Sequence, residues 1–374
     1  MIYFDSAATS FQKPPEVAEA VVEAMRTMSS PGRGGHEAAM RAADTVFSCR
    51  EALANLFHMK NPECVVFTMN ATHALNLAIK SLVPTGGRVV ISGYEHNAVT
   101  RPLNALGADV TVAAAPLFQP QAVIDAFDRS VVSGTQAVIC NHVSNVFGFI
   151  QPVETVAEIC RDRDVPLVID ASQSAGILPL DFEKIGAAFV AAAGHKGLLG
   201  PQGTGILLCS DYPIQSLIEG GTGSNSLLQT MPEFLPDRLE AGTHNVPGIA
   251  GLLAGVRYLE RQGMAAVLHR ERQLTAFLAE GLRELRGMRV LSMPNLSDQA
   301  GILSVIPEEM DAEVLGSEMA ERGIALRAGF HCAPLAHRTA GTLKTGTVRL
   351  SVSDFNTFDE ACLCLMAFRD CMAR

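Results

Sequence analysis

The stretch AAAGHKGLLGPQGTG, residues 191–205, joins a small apolar segment to a lysine and a glycine-rich turn. Lys196 at the end of a strand-like segment has no role in a hydrophobic core. The upstream stretch PLVIDASQSAG, residues 166–176, ends a second apolar strand at Asp170. An amine and a carboxylate in these positions indicate a pyridoxal phosphate site, because that cofactor needs an amine for its aldehyde and an acid for its ring nitrogen.

Short β-rich runs alternate with amphipathic stretches on both sides of these segments, from Cys64 to about Leu208. Helices are predicted from Ala71, near Val99 and from Val153. The alternation predicts an α/β fold with a mostly parallel sheet covered by helices. The strand-like runs are CVVFTM (64–69), RVVISG (88–93), QAVICN (136–141), PLVID (166–170), AAFVAAA (187–193) and TGILLC (204–209).

The two ends of the chain extend this pattern. EVAEAVVEAM after the pair Pro14-Pro15, and EAAMRAADTVFSCREALANLF, are helical in period. A helical region from about Asn245 to Gly287 precedes strand-like and helical runs that alternate, as in a smaller α+β domain. We therefore predict an N-terminal segment (1–15) that packs with the small domain, a large domain (16–254) and a small C-terminal domain (255–374). Long stretches without regular structure are expected at 209–245 and 328–346.

Composition limits the class of partner. The chain has 374 residues, 48% of them hydrophobic, and a net charge of −10 without a cluster of Lys or Arg. We expect a small-molecule ligand and no nucleic acid, membrane or metal partner. No apolar run approaches a membrane span, and nine cysteines without a CxxC pair give no reason to expect disulfides. A cytoplasmic location is the expectation.

Polar residues follow the predicted strands at the point where each strand ends. In open α/β sheets this edge binds ligands, so we expect the residues to converge there. A helix that begins near Thr72 would offer free N–H groups to a phosphate. The residues are Thr72, His96, Asn145, Asp170, Gln173, His195 and Lys196.

Each of these residues also has an ordinary explanation when taken singly. Asp170 could cap a turn, Thr72 could cap a helix, and Asn145 could form a turn before Gly148. Lys196 could be solvated, and His96 could be a satisfied core histidine. The coincidence of all of them favours the cofactor site.

Cofactor chemistry gives each residue a predicted role. Lys196 would bind the aldehyde and must be partly neutral, and burial promotes this. Asp170 would keep the pyridine nitrogen protonated. His96 would lie over the ring or act as an acid or base, while Gln173 and Asn145 would hold the side of the ring that carries the phenolic oxygen.

The chain resembles the cysteine desulfurases of the class V aminotransferase group, which are fold-type I pyridoxal phosphate enzymes. The similarity covers nearly the whole length, and the short RxGxHCAP loop is closer to the selenocysteine lyase and Suf-type group. Ten segments carry it: YFDSAAT, SPGRGGH, NATHALN, YEHNA, HVSNVFG, DASQS, GHKGLLGPQGTG, RLEAGTHN, RAGFHCAPLAH and VRLSVSDFNT.

The resemblance implies a seven-stranded sheet in the large domain and a set of roles for named residues. Lys196 holds the cofactor and is catalytic, Asp170 pairs with its ring nitrogen, and the catalytic His96 stacks on its ring. Gln173 and Asn145 bind the oxygen side of the ring. Ala71, Thr72 and His195 belong to the cofactor site, the last two at its phosphate.

Further roles concern the substrate and a second subunit. Arg349 resembles the arginine that takes the substrate carboxylate, with Arg327 and Asn145 nearby. Thr243 in the EAGT motif would reach the phosphate site of a neighbouring subunit, which implies a homodimer. Three residues depart from the pattern: Ala193 stands where relatives often have a hydroxyl, Asn97 where many have a second histidine, and His73 where many have a glutamate.

Cys332 bears on the choice of reaction, because a pyridoxal phosphate site alone permits several. It lies in a polar loop, where Arg327, His331, His337 and Arg338 could stabilise a thiolate. The resemblance implies that Cys332 takes sulfur from L-cysteine as a persulfide and that alanine is released. An acceptor protein could then receive the sulfur.

Other functions stay open at this point. One is selenocysteine lyase, or an aminotransferase-like activity, in which Cys332 is not the nucleophile. Another is a sulfur carrier or regulatory protein without catalysis, against which the intact Lys196, Asp170, His96 and Cys332 count. A dinucleotide enzyme would rest on GGTGSNS at 220–226, which lacks the strand–turn–helix context of that motif.

Overall fold

The computed structural model describes residues 1–32 and 34–373. Arg33 of the SPGRGGH segment and Arg374, the last residue of the predicted small domain, lie outside the described residues. Within these ranges the helices are α1 Pro15–Thr27, α2 Glu37–Leu56, α3 Ala71–Leu82, α4 Asn97–Ala105, α5 Pro120–Ser130, α6 Val153–Asp162, α7 Phe182–Ile185, α8 Val246–Gln262, α9 Met264–Arg283, α10 Ala312–Glu321, α11 Pro334–Thr339 and α12 Phe358–Met372. The strands are β1 Ile2–Tyr3, β2 Val65–Thr68, β3 Arg88–Ser92, β4 Asp109–Ala113, β5 Ala137–Asn141, β6 Leu167–Asp170, β7 Phe189–Ala193, β8 Gly205–Cys209, β9 Met288–Leu291, β10 Ile302–Pro307, β11 Ile324–Ala325, β12 Arg327–Gly329 and β13 Thr347–Ser351.

A central sheet of seven strands dominates the described part of the chain, in the order β2-β8-β7-β6-β5-β3-β4. β8 runs antiparallel to β2 and β7, and the other neighbouring pairs are parallel. The α/β fold with a mostly parallel sheet, expected from the alternation of strands and helices, is confirmed.

Both faces of this sheet are covered. Val90 and Val138 face a cluster that includes α2, α6 and α8, whereas Val89 and Ile139 face α3 and α4 on the other side. Such burial explains why these strands are continuous apolar runs rather than alternating ones. Cys140 and Cys209 are buried in the two clusters as small hydrophobic residues.

Local signals in the sequence set the ends of several helices. Pro15 begins α1, and Thr357 and Glu360 form a reciprocal capping box at the start of α12. Asn70 begins α3, its side chain accepting a hydrogen bond from His73 N at 2.9 Å. These caps place α3 directly after β2, at the edge of the sheet where ligands bind.

Smaller sheets form the rest of the fold. β12, β13, β10 and β9 make an antiparallel sheet that packs with α9, α10 and α12. β1 pairs with β11 in parallel, and Phe4 is buried in the same cluster. The N-terminal segment therefore contacts the C-terminal elements first and then the loops that follow β6 and β7, through Ala7, Ser10 and Lys13.

The predicted division into domains stays a prediction. The structure shows which elements surround the predicted boundary at Gly255. Gly255, the first residue assigned to the small domain, lies inside the continuous helix α8. Residues of α8 on both sides of Gly255 pack in the core of the large sheet, among them Leu252 and Leu259.

Two expectations about regular structure need correction. The stretch 328–346 is not without structure, because it contains the end of β12 and the helix α11. Strand β4 was not recognised among the strand-like runs, since it lies at the edge of the sheet and Asp109, Val110 and Thr111 are exposed. Residues 210–245, all of them described, contain no helix or strand, as expected.

Among the described residues, every helix is too short or too polar to cross a bilayer.

Candidate active site

A cavity of about 230 Å³ lies at the carboxyl ends of β5, β6 and β7. Eleven of the twelve candidate residues line it, so the structure brings together side chains that are up to 278 positions apart, from Ala71 to Arg349. They are Ala71, Thr72, His96, Asn145, Asp170, Gln173, His195, Lys196, Arg327, Cys332 and Arg349.

Lys196 and Asp170 face the same cavity from the ends of neighbouring strands. Burial lowers the pKa of Lys196 to about 8; Arg349 and Arg327 lower it further, and Asp170 opposes the shift. A fraction of the amine is therefore neutral near physiological pH, as a nucleophile requires. Asp170 is 6% exposed, and its Oδ1 accepts hydrogen bonds from Ser172 N, at 2.9 Å, and from the Ser172 hydroxyl.

His96 is fixed by its position at the start of α4. Its Nδ1 accepts a hydrogen bond from Ala98 N at 3.0 Å, so a neutral ring carries its proton on Nε2. Burial lowers the pKa of His96 to about 4, with Lys196 lowering it further and Asp170 opposing. His96 is therefore a neutral ring at physiological pH, suited to stacking on an aromatic ligand.

Gln173 and Asn145 both line the cavity, and their hydrogen bonds connect it to distant segments. Gln173 Nε2 donates to Ala7 O at 2.9 Å, and Asn145 Nδ2 donates to His331 O at 2.8 Å. Asn145 Oδ1 is buried and has no partner among the described residues. Because a buried acceptor without a donor is costly, this oxygen is a place for a ligand group.

The start of α3 forms the end of the cavity suited to an anion. Asn70, and not Thr72, is the N-cap, and no described residue accepts a hydrogen bond from the N–H groups of Ala71 and Thr72. These donors and the helix dipole favour a phosphate. His195 lines the same cavity, and its Nδ1 lies 3.0 Å from Thr9 Oγ1.

Arg349 is 1% exposed and oriented by two bonds. Its Nη1 donates to Asn145 O at 2.9 Å, and its Nη2 pairs with Asp5 Oδ1 at 2.5 Å. Its Nε has no partner among the described residues. Arg327 is exposed and sits opposite Arg349 in the β12–β13 register, so two cations face the same end of the cavity.

Cys332 is exposed at the mouth of the cavity in a tight loop between β12 and α11. His331 and Cys332 both have positive φ, at 50° and 55°, and Cys332 O accepts a hydrogen bond from Asn97 N at 2.8 Å. The prediction that His331 and His337 stabilise a thiolate stays a prediction, and as neutral rings they would do so without a positive charge. Burial lowers their pKa values to about 2 and about 4, so both rings are neutral.

Thr243 does not line this cavity. It is exposed beside a separate depression of about 300 Å³, which Glu240 and His244 also line. Glu240 is buried and bound by Arg50, which fixes the loop that carries Thr243.

Three residues of the site were not among the candidates. Ser172 binds Asp170, Asp5 binds Arg349, and Asn70 caps α3. A hydroxyl two residues after Asp170 and an Asn before a helix are recognisable signals. No signal in the sequence pairs Asp5 with Arg349, which is 344 residues away.

The fold and this site define an α/β protein with a cavity at the carboxyl ends of its parallel strands that a lysine and an aspartate line. A family model described as aminotransferase class-V matches residues 2–362. The chain belongs to this family.

Similar proteins cover nearly all of the chain. Probable cysteine desulfurases of Pyrococcus abyssi and Methanothermobacter thermautotrophicus are each 32% identical to it; the alignments cover 96% of this chain and 91% and 92% of those proteins. An apo structure of a cysteine desulfurase from Thermococcus onnurineus matches with a TM-score of 0.91 and 29% identity, over 100% of this chain and 94% of that one.

Proposed function

We propose that this protein is a pyridoxal phosphate-dependent cysteine desulfurase. It converts L-cysteine to L-alanine and takes the sulfur on Cys332 as a persulfide. One observation carries the proposal: the thiol of Cys332 opens onto the cavity that contains Lys196, Asp170 and Arg349. Relatives that carry the name cysteine desulfurase, and that are similar over 91–94% of their length, support it.

The residues present fit the cofactor. Lys196 offers an amine of lowered pKa, Asp170 a carboxylate, and the start of α3 two unused N–H donors. The unpartnered Asn145 Oδ1 and the neutral ring of His96 fit the edge and the face of an aromatic ring. When bound, the cofactor supplies an electron sink that makes the α-proton of an amino acid acidic.

The chain's own residues do the remaining work. Arg349 binds the substrate carboxylate through its guanidinium, which Asp5 and Asn145 hold in place. Lys196 accepts the α-proton in its neutral form. The Cys332 thiolate attacks the substrate sulfur: the new bond joins the two sulfur atoms, the carbon–sulfur bond breaks, and the carbon is protonated. Two thiols thus become one persulfide and alanine, and no external oxidant is needed.

We also propose an oligomeric state, a sulfur acceptor and a cellular compartment for this protein. Thr243 is exposed and lies outside the candidate active site of its own subunit. This position suits a residue that completes the site of a second subunit in a homodimer. An acceptor thiol, small or on a protein, would take the sulfur from the exposed Cys332. Nine free thiols fit a reducing compartment such as the cytoplasm.

The test is to incubate the purified protein with the cofactor, cysteine and a reductant, and to quantify alanine and sulfide. Lys196→Ala and Cys332→Ala should abolish both products, whereas Cys362→Ala, which removes another exposed thiol, should change neither. An unchanged yield in Cys332→Ala would refute its role. If Cys332→Ala loses activity on cysteine but retains it on selenocysteine, the protein is a selenocysteine lyase. Formation of 3-mercaptopyruvate from cysteine, with the sulfur retained, would identify an aminotransferase.

A further inference from the structure

Glu95 is a fully buried carboxyl group directly behind the site that the reaction does not use. It precedes His96 and lies between the ends of β3 and β5. Its Oε1 accepts a hydrogen bond from Asn141 N at 2.7 Å and lies 2.5 Å from Ser92 Oγ. Its Oε2 is buried and has no partner among the described residues.

The hydrogen bonds around Ser92 indicate where a proton must be. Ser92 Oγ lies within hydrogen-bond distance of two acceptors, Glu95 Oε1 and, at 2.9 Å, Asn141 Oδ1. A hydroxyl has one proton and can donate to only one of them. The orientation of the Asn141 amide is fixed, because its Nδ2 donates to Tyr94 O at 2.9 Å.

Both contacts of Ser92 Oγ can be hydrogen bonds when the Glu95 carboxyl is protonated and supplies the second proton. Glu95 Oε1 then donates to Ser92 Oγ, and Ser92 donates to Asn141 Oδ1. Ser92 also accepts from Tyr94 N at 3.1 Å. Gln151 Nε2 lies within hydrogen-bond distance of three acceptors: Asn141 O at 2.8 Å, Ser92 Oγ at 3.1 Å and Asn141 Oδ1. If Glu95 were ionised, Ser92 would donate to it, and Ser92 Oγ and Asn141 Oδ1 would lie 2.9 Å apart with no proton between them and with Gln151 Nε2 as their shared donor. The negative charge would also extend to Oε2, which is buried without a donor.

Electrostatics act in the same direction. The pKa of Glu95 is raised to about 8: burial is the largest cause and Asp170 adds to it, and together they outweigh the hydrogen bonds from Ser92 and Asn141, which lower the pKa. The other titratable neighbour is Cys140 on β5, whose thiol is kept neutral because burial raises its pKa. The largest influences on the pKa of Glu95 include no positive side chain.

We propose that Glu95 is a protonated positioning residue, which holds His96 and Asp170 in place without adding a charge to the site. Asn141, which Glu95 binds, lies opposite Asp170 in the β5–β6 register and lines the cavity. His142 N donates to Asp170 O at 2.9 Å, so the same segment supports the aspartate. The positioning role rests on the proposed function, whereas the protonation of Glu95 does not.

The protonation is tested on the protein without cofactor by infrared difference spectroscopy at neutral pH. The difference between wild type and Glu95→Gln should contain the carbonyl band of a protonated carboxyl group, shifted in D₂O. The control Glu154→Gln removes an exposed carboxyl and should show carboxylate bands instead. In Ser92→Ala the protonated band should move to higher frequency, because its hydrogen-bond acceptor is lost. Carboxylate bands in the Glu95→Gln difference, or no shift in Ser92→Ala, would overturn the proposal.

Positioning is tested on the protein with bound cofactor. Glu95→Gln stays neutral and nearly isosteric, so the visible absorption maximum should not move and kcat should stay within about 3-fold of wild type. The shorter Glu95→Asp should shift the absorption maximum and lower kcat about 10-fold or more. Equal values for Glu95→Asp and wild type, or equal losses in both variants, would refute the positioning role. Because the infrared result needs no activity, it stands even if the protein proves not to be a desulfurase.

Discussion

Lys196 lies in a cavity that holds both cations and an acid, and burial is the main reason that its pKa falls to about 8. Since the neutral amine is the nucleophile, the protein without cofactor should capture pyridoxal phosphate faster as the pH rises, and the rate should level off above about 8. Stopped-flow absorbance measures this rate. Arg327→Ala removes a cation that lowers the pKa of Lys196 and should move the midpoint to higher pH. Arg289→Ala, on an exposed position of β9, should not, and a midpoint near 10 in wild type would contradict the burial argument.

Arg349 is held by two separate acceptors, which a lysine cannot reproduce. Arg349→Lys keeps the charge but loses the fork that binds Asn145 O and Asp5 together. We expect KM for cysteine to rise about 10-fold or more, since bonds to charged groups contribute about 1.5–3 kcal/mol. The visible spectrum of the bound cofactor should not change. Steady-state kinetics checks this, and a KM equal to wild type would mean that another group binds the carboxylate.

Residues at the ends of strands could be predicted from the sequence because their position alone implies convergence. Asp170, Lys196 and His96 each follow an apolar run, and parallel strands end at one edge. Glu95 could not be recognised in this way. Its role depends on burial and on bonds to Asn141, 46 residues away, which no local pattern reveals.

At the scale of elements, the start of α3 depends on close approach to β8. A Cβ added to Gly205 would lie 2.5 Å from Asn70 C, so Gly205→Ala must displace the N-terminus of α3. We expect the affinity for pyridoxal phosphate to fall about 10-fold and stability to fall by about 1–3 kcal/mol. Cofactor titration and chemical denaturation measure the two effects. Gly221→Ala is the control, because a Cβ there meets nothing within 4 Å, and equal affinities in both variants would exclude a role for this contact.

Buried elements were predictable and exposed ones were not. The five strands between the two edges of the large sheet are continuous apolar runs, as the double-sided core requires. β4 lies at the edge with its first three residues exposed, and α11 has only six residues. Their stability comes from tertiary contacts, which composition and period do not show.

For the whole molecule, the site depends on segments from both ends of the chain. Asp5 of the N-terminal segment orients Arg349 of β13, and Ala7 O accepts from Gln173 beside the large sheet. The same segment pairs with β11 through Ile2 and Tyr3. Movement of the small C-terminal sheet would therefore change the substrate site directly.

The junction of these parts contains a second buried carboxyl group, Glu271 on α9. It is 5% exposed and lines a cavity of about 50 Å³ with residues of the N-terminal segment, the loops that follow β6 and β7, and β13. Burial raises the pKa of Glu271 to about 8, and Asp354 raises it further. The folded state thus keeps a proton that the unfolded state loses above about pH 4.5.

This difference in proton binding makes Glu271 a source of pH-dependent instability. Between about pH 4.5 and pH 8 the folded protein binds more protons than the unfolded chain, so its stability falls as the pH rises, by at most roughly 1.4 kcal/mol per pH unit from this group. Glu271→Gln removes the effect, and its Tm should exceed that of wild type by a margin that grows up to about pH 8 and then stays constant. Glu280→Gln, exposed on the same helix, should show no such trend. Thermal unfolding across this pH range measures both, and a margin that does not grow with pH would show that Glu271 is ionised in the folded protein.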